Sequence, residues 1–162
     1  FERTGLQNLF LEQVLCFGNV NRHPSGRVVS VAYYTLVNIN HINLAVQDHE
    51  LHWHSIHQVG NMAFDHNEIL NTCLIRLQER IKAEPIGFNL LPEKFSMRSL
   101  QLLYESVLMV DLDRRNFRKK VMGTGLLIDM KELESDVPHR PAKLFKFNSE
   151  KYRQQDIKGN FV

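Results

Sequence analysis

At 162 residues, 43% hydrophobic and 23% charged, with 8 Gly and 5 Pro, the chain has enough apolar content for one large or two small folded domains. This composition excludes a disordered segment and a collagen-like repeat. The formal charge of +2 hides an asymmetry: residues 1–84 carry 6 Lys+Arg against 8 Asp+Glu, and residues 85–162 carry 14 against 10, the pattern of two modules with different partners. The longest apolar stretch, residues 28–37, is interrupted by Ser30 and Thr35 and falls short of the ~20 residues needed to span a bilayer. Cys16 and Cys73 both sit in apolar-patterned segments and read as reduced core thiols. With no secretory signal in the sequence, a cytoplasmic protein is expected. Phe1, not Met, opens the chain, so a longer intact protein is expected.

Residues 8–17 (NLFLEQVLCF) and 27–38 (RVVSVAYYTLVN) are rich in β-branched and aromatic residues, and the segment GNVNRHPSG between them is turn-forming. Two strands joined by a long loop are predicted. A third strand is predicted over residues 50–56 (ELHWHSI). Asp65 then sets a helix N-cap with Glu68 at N3, and Ile69, Leu70, Cys73, Leu74, Leu77 and Ile81 recur at helical spacing, predicting a helix over 65–83. Pro85 cannot continue it, and places a domain boundary between residues 84 and 85.

Beyond that boundary, Ser96 caps a helix carrying Leu100, Leu103, Tyr104, Val107 and Leu108, with Phe95 and Leu100 placed as a hydrophobic staple. After a break at Met109-Val110-Asp111, Asp113 caps a second helix over 114–122 that buries Phe117 and Val121 and stops at Gly123. Two β-like runs follow, 125–130 and 142–147, separated by an acidic, proline-containing loop. Helix, turn, basic helix and hairpin in that order predict a winged helix-turn-helix.

The basic helix holds Arg114, Arg115, Arg118, Lys119 and Lys120 without an acid among them, and Asn116 lies in its first turn. At roughly 100° per residue, with Phe117 and Val121 inward, Arg115 and Lys119 face directly away from the core, flanked by Arg118. Arg and Lys can contact guanine edges and Asn can pair with adenine, while other cations contact phosphate. Arg115, Arg118 and Lys119 are therefore expected in a groove, with Arg114, Lys120 and Arg140 on phosphate. His139-Arg140 in the hairpin loop offers a wing. A solvated charged face and a protein-docking winged helix are the two alternatives.

In the first half, seven of the eight histidines lie between His23 and His66, and His52 and His54 would share one strand face near His49 and His57. No carboxylate or cysteine completes a metal-ligand spacing there, so no metal is expected, nor is any cofactor. The loop containing Arg22, His23 and Arg27 suits an anionic or polyhydroxyl ligand; a solvated hairpin loop is the alternative. No nucleophile–base order and no glycine-rich phosphate loop occurs, so no catalytic residue is assigned.

Several stretches together carry a family resemblance. They are Glu2-Arg3-Thr4-Gly5-Leu6 with Leu11-Glu12-Gln13, then Arg27-Val28-Val29-Ser30-Val31-Ala32-Tyr33-Tyr34 and Phe64-Asp65-His66. Pro85-Ile86-Gly87-Phe88-Asn89-Leu90-Leu91-Pro92 and Asp113-Arg114-Arg115-Asn116-Phe117-Arg118-Lys119-Lys120 complete the set. The chain resembles the bacterial Nudix-related transcriptional regulators over essentially its whole length. The resemblance implies an α+β protein: the C-terminal part of a Nudix-like α/β/α sandwich over 1–84, serving effector binding and dimerisation, and a winged-helix DNA-binding domain over 85–162. It also implies double-stranded operator DNA as partner, a homodimer, no membrane, and a small effector, ADP-ribose in one branch and arabinose in another. The wording is nearer the sugar-responsive branch.

Two departures bear on activity. Only the tail of a Nudix box is present, at residues 1–6, and Arg3 stands where the second metal-binding glutamate belongs; a cation there repels Mg²⁺. His23 replaces a commonly acidic residue and Ser25 interrupts an arginine-rich pattern, which weighs against ADP-ribose. The expected function is thus a DNA-binding regulator without enzymatic activity, whose effector is a pentose or ADP-ribose-like molecule. The alternative is a Nudix hydrolase acting on a nucleoside diphosphate derivative such as ADP-ribose. Strand 27–38 reads as buried on both faces in a complete sandwich, so residues 1–84 are expected to be a remnant that exposes apolar surface or pairs its edges across a dimer.

Overall fold

The computed structural model describes residues 11–37, 52–135, 138 and 140–154. The box tail at residues 1–6 with Arg3, the early part of the first predicted strand, Asn38, His49, Glu50 and His139 lie outside the described residues. The chain divides into two compact units, Phe1–Arg76 and Leu77–Val162.

In the first unit, β1 (Glu12–Phe17) pairs antiparallel with β2 (Ser30–Tyr34), Gln13 opposite Tyr33 and Cys16 opposite Val31, with a register irregularity between Gln13 and Cys16. Strand β2 is shorter than the predicted 27–38, and within the described part of its prediction β1 begins after Leu11. Alternation leaves Val31 44% and Tyr33 50% exposed, so one face of β2 is open, the apolar exposure expected of this segment. Cys16 is also exposed, correcting its assignment to the core. Residues 52–55 form no strand, and Ile56–Gln58 is a single 3-10 turn. The predicted third strand is therefore replaced, over its described part, by an exposed segment. Helix α1 runs over His66–Ala83, and the division between units falls within it, seven residues before its end. Its last turn is closed by the Glu84 N–H on the Arg80 carbonyl at 2.8 Å and by an Arg80–Glu84 ion pair, just ahead of Pro85.

The second unit opens with a 3-10 turn over Ile86–Leu90, then β3 (Phe95–Ser96) and α2 (Met97–Leu108). The Ser96 hydroxyl accepts from the Ser99 N–H at 3.2 Å, the expected cap. Met109 ends α2 in the left-handed region at φ 57°, which turns the chain toward α3 (Arg114–Gly123). Strands β4 (Leu127–Leu133) and β5 (Lys143–Phe147) follow, then α4 (Ser149–Gln154). The sheet order is β3-β5-β4, antiparallel throughout. The predicted hairpin is shifted at its start because Gly125, at φ 66°, belongs to the turn after α3. It extends past Met130 through an irregularity between Asp129 and Leu133, where Lys131 has φ 56° and its N–H donates to the Asp129 carboxylate at 2.8 Å.

One apolar core unites these elements: Ile81, Phe88, Phe95, Leu100, Tyr104, Leu108, Phe117, Val121, Leu126 and Phe145. Phe88 stacks on Phe147 with centroids 4.3 Å apart, and Tyr104 meets Phe117 at 5.6 Å. Burial pushes the Tyr104 hydroxyl pKa far upward. A Cβ at Gly87 would lie 3.0 Å from Leu103, so glycine lets the Ile86–Leu90 turn approach α2 closely. Among the described residues no helix is long and apolar enough to cross a membrane.

Candidate nucleic-acid interface and effector hollow

The cationic helix α3 is positioned from both ends. At its start the Asp113 carboxylate accepts the Asn116 N–H at 2.8 Å, and the Asp113 carbonyl accepts the Phe117 N–H at 2.9 Å. Along its length Phe117 and Val121 are 4% and 0% exposed and seat it in the core. Arg114, Arg115, Asn116, Arg118, Lys119 and Lys120 are all exposed. With the core direction fixed by Phe117 and Val121, helical geometry sends Arg115 and Lys119 outward. It places Arg114 and Arg118 on one flank, and Asn116 and Lys120 on the other.

The turn before α3 is held by α2. The Glu105 carboxylate accepts the Leu112 N–H at 3.1 Å and a Gln101 amide hydrogen at 2.7 Å; the same Gln101 nitrogen donates to the Leu112 carbonyl at 2.8 Å. Gln101 is 3% exposed, so this is a buried polar junction whose bonds are made. The Leu112 N–H, then Gln101, hold the Glu105 carboxyl below the usual glutamate range.

On the Arg114/Arg118 flank lies a cleft of about 340 Å³, lined also by Arg98, Gln101, Lys143 and Phe145. It brings in two cations that lie outside the 114–120 charge run. Arg98 stands in the first turn of α2, and Lys143 begins β5 two residues from buried Phe145. Their spacing in the sequence gives no sign of this meeting; knowing that β5 takes the central place in the sheet would have. Arg140 is exposed on the loop between β4 and β5.

In the first unit Arg22 is committed. Its Nε donates to Asp65 Oδ2 at 2.6 Å, one terminal nitrogen to Asp65 Oδ1 at 2.8 Å and the other to the Ser30 hydroxyl at 2.5 Å. The side chain is only 4% exposed. The Arg22 hydrogen bond holds the Asp65 carboxyl below its usual value. Both oxygens of the carboxylate predicted to cap α1 thus accept from Arg22. The hollow beside this pair, about 580 Å³, is lined by Asn21, Arg22, Pro24, Phe64, Asp65 and Glu68. Phe64 is 56% exposed with φ 54°, a conformation costly for an aromatic residue. Its ring lies 4.6 Å from His23 and 6.0 Å from His66. Arg27 is exposed and does not line the hollow. His52, His54 and His57 are exposed, and among the described residues no group of three His, Cys, Asp or Glu is arranged to hold a metal.

Residues 87–147 match the NrtR DNA-binding winged helix domain. Over 154 residues the chain is 30% identical to the ADPR responsive transcriptional repressor NtrR of Acinetobacter baylyi, an overlap of 93% of this chain and 61% of that protein. The crystal structure of Shewanella oneidensis NrtR is similar with a TM-score of 0.70 at 25% identity, covering 90% of this chain and 68% of the other. The same protein complexed with a 27mer DNA gives 0.64 at 24% identity over 90% and 68%. A MutT/nudix family protein from Enterococcus faecalis gives 0.58 at 24% identity over 85% and 61%. The chain therefore spans about three fifths of the length of the Acinetobacter repressor.

Proposed function

We propose that the chain, similar to the Nudix-related transcriptional regulators in sequence and fold, is a DNA-binding regulator of that kind whose second unit reads operator DNA and whose first unit senses a small effector. The observation that carries this reading is α3: five exposed cations on a helix anchored by Phe117 and Val121, inside a stretch that matches a DNA-binding winged helix domain. Arg115, Lys119 and Arg118 face the groove. Asn116 reaches a base edge from the first turn, and Arg114, Lys120 and Arg140 contact phosphate. The domains divide at residues 84 and 85 in this reading, with Pro85 opening the DNA-binding part. Two copies pair so that their α3 helices meet successive half-sites, and effector binding changes that spacing. Such a protein works in the cytoplasm, beside the chromosome.

The effector contains a pentose, either free or within ADP-ribose. Asp65, Glu68 and Asn21 at the hollow offer acceptors for sugar hydroxyls, and Phe64 with His23 offers a ring surface. The responsiveness named for the Acinetobacter relative favours ADP-ribose; Arg22, held by Asp65, favours the sugar part over the diphosphate as the group recognised here. The protein is not a hydrolase in this reading, which rests on the family resemblance that sets Arg3 at the position of a metal-binding glutamate. The test is fluorescence anisotropy with labelled duplexes across a salt series, joined to thermal melting with ADP-ribose, arabinose and ribose. Salt-sensitive duplex binding and a raised melting temperature with one pentose compound support the proposal. No binding at low salt rejects the regulator, and release of ribose phosphate from ADP-ribose in the presence of Mg²⁺ rejects the non-enzymatic reading.

A further inference from the structure

The cleft beside α3 carries more positive charge than its own architecture needs. Four cations from three elements line it: Arg98 on α2, Arg114 and Arg118 on α3, and Lys143 on β5. Two carboxylates stand near, but their closest bonds lie elsewhere. Glu105 accepts from the Leu112 N–H and from Gln101, while Asp129 accepts from the Lys131 N–H at 2.8 Å. The cations are left with long pairings: Arg98 to Glu105 at 3.8 Å, beyond hydrogen-bond reach, and Lys143 to Asp129 at 3.4 Å. Their side chains are 51% and 62% exposed, so their donors remain available to a third group. Gln101 has its amide nitrogen engaged on both Glu105 and Leu112 and serves as wall, while Phe145, 1% exposed, forms an apolar floor.

We propose that this cleft is a phosphate seat, and that Arg98 and Lys143 hold a phosphodiester of the duplex backbone next to the strand read by α3. The inference rests on the proposed DNA-binding reading and adds two residues to it. A planar guanidinium on the helix side and a point-charge ammonium on the wing side meet one phosphate from two directions, which sets the register of α3 along the duplex. Holding α2, α3 and β5 on one anion also ties the wing to the helix pair when DNA is bound.

The experiment uses the intact chain and its Arg98→Ala, Lys143→Ala and Arg153→Ala variants, the last removing an exposed cation of α4 that does not line the cleft. Duplex affinity is measured by anisotropy over a salt series, with melting temperatures recorded for each variant. Arg98→Ala and Lys143→Ala are expected to melt with the parent and to lower duplex affinity roughly 5- to 20-fold on any sequence. Each should flatten the slope of log K against log salt by about 0.9, one phosphate contact; Arg153→Ala should do neither. Parent-like slopes in the cleft variants, or an equal loss in Arg153→Ala, overturn the seat while leaving the DNA-binding reading standing. No duplex binding by the parent at low salt overturns both. Saturable binding of inorganic phosphate that Arg98→Ala abolishes, with duplex affinity unchanged, assigns the cleft to a free anion and overturns the backbone source.

Discussion

Glu105 accepts the backbone N–H of Leu112 at 3.1 Å, so the helix that fills the core also holds the turn that delivers the cationic helix. The charge on that carboxyl matters for acid stability. Its pKa in the folded protein lies below that of the unfolded chain because the Leu112 N–H and Gln101 bond the charged form. The stability this contributes is complete above the usual glutamate pKa of ~4.3 and is lost as pH falls through the lower folded value. Glu105→Gln keeps an acceptor for Leu112 but no titration. Urea midpoints measured from neutral pH downward should therefore fall less steeply in the variant than in the parent; parallel curves would remove Glu105 from this role.

Positions 115 and 117 should separate folding from recognition. Phe117→Ala empties a buried aromatic site and should cost about 3–5 kcal/mol of stability, read as an early thermal transition. Arg115→Ala should leave the melting curve unchanged and weaken duplex binding by about 1–3 kcal/mol, with relaxed sequence preference. Lys120→Ala should weaken all duplexes alike and flatten the salt slope by about 0.9.

Much of this second unit is legible in the sequence because its signals are local. Ser96 and Asp113 cap the helices they precede, and Phe117 and Val121 recur at helical spacing, so the cationic face follows from adjacent residues. The two-residue strand β3 carries no periodicity; its position is set by Phe145, fifty residues later, which it pairs through Phe95. The irregularity at Lys131 depends on the Asp129 carboxylate turning back on its own strand, which lengthened β4 beyond its apolar pattern. In the first unit the decisive pairing, Arg22 with Asp65, spans 43 positions, and nothing near either residue announces it. His52 and His54 alternate like a strand, yet 52–55 forms none among the described residues, because alternation does not supply a partner edge.

The Arg22–Asp65 pair should prove specific to the guanidinium. Asp65 is bonded through both oxygens while Ser30 takes the remaining Arg22 nitrogen, a fork that lysine cannot reproduce. Arg22→Lys is expected to lower the melting temperature almost as far as Arg22→Ala. Full recovery by lysine would reduce the pair to simple charge attraction.

Gly125 reports on the turn after α3. At φ 66° a β-carbon is strained, and it would also run into the Lys151 Nζ. The lysine end can swing aside, so the backbone decides: Gly125→Ala should cost roughly 1–2 kcal/mol, and Gly125→Asn less, since asparagine tolerates this region better. Equilibrium urea unfolding of the pair checks the order.

The central claim, that α3 lies along a duplex, is tested most directly by backbone amide chemical-shift mapping of the labelled protein as an operator duplex is added. The account predicts that the largest shifts cluster on Arg114–Lys120 and on the loop carrying Arg140, and that they fade as salt is raised. Shifts confined to other surfaces, with the amides of Arg115 and Lys119 unmoved at saturating duplex, would contradict it.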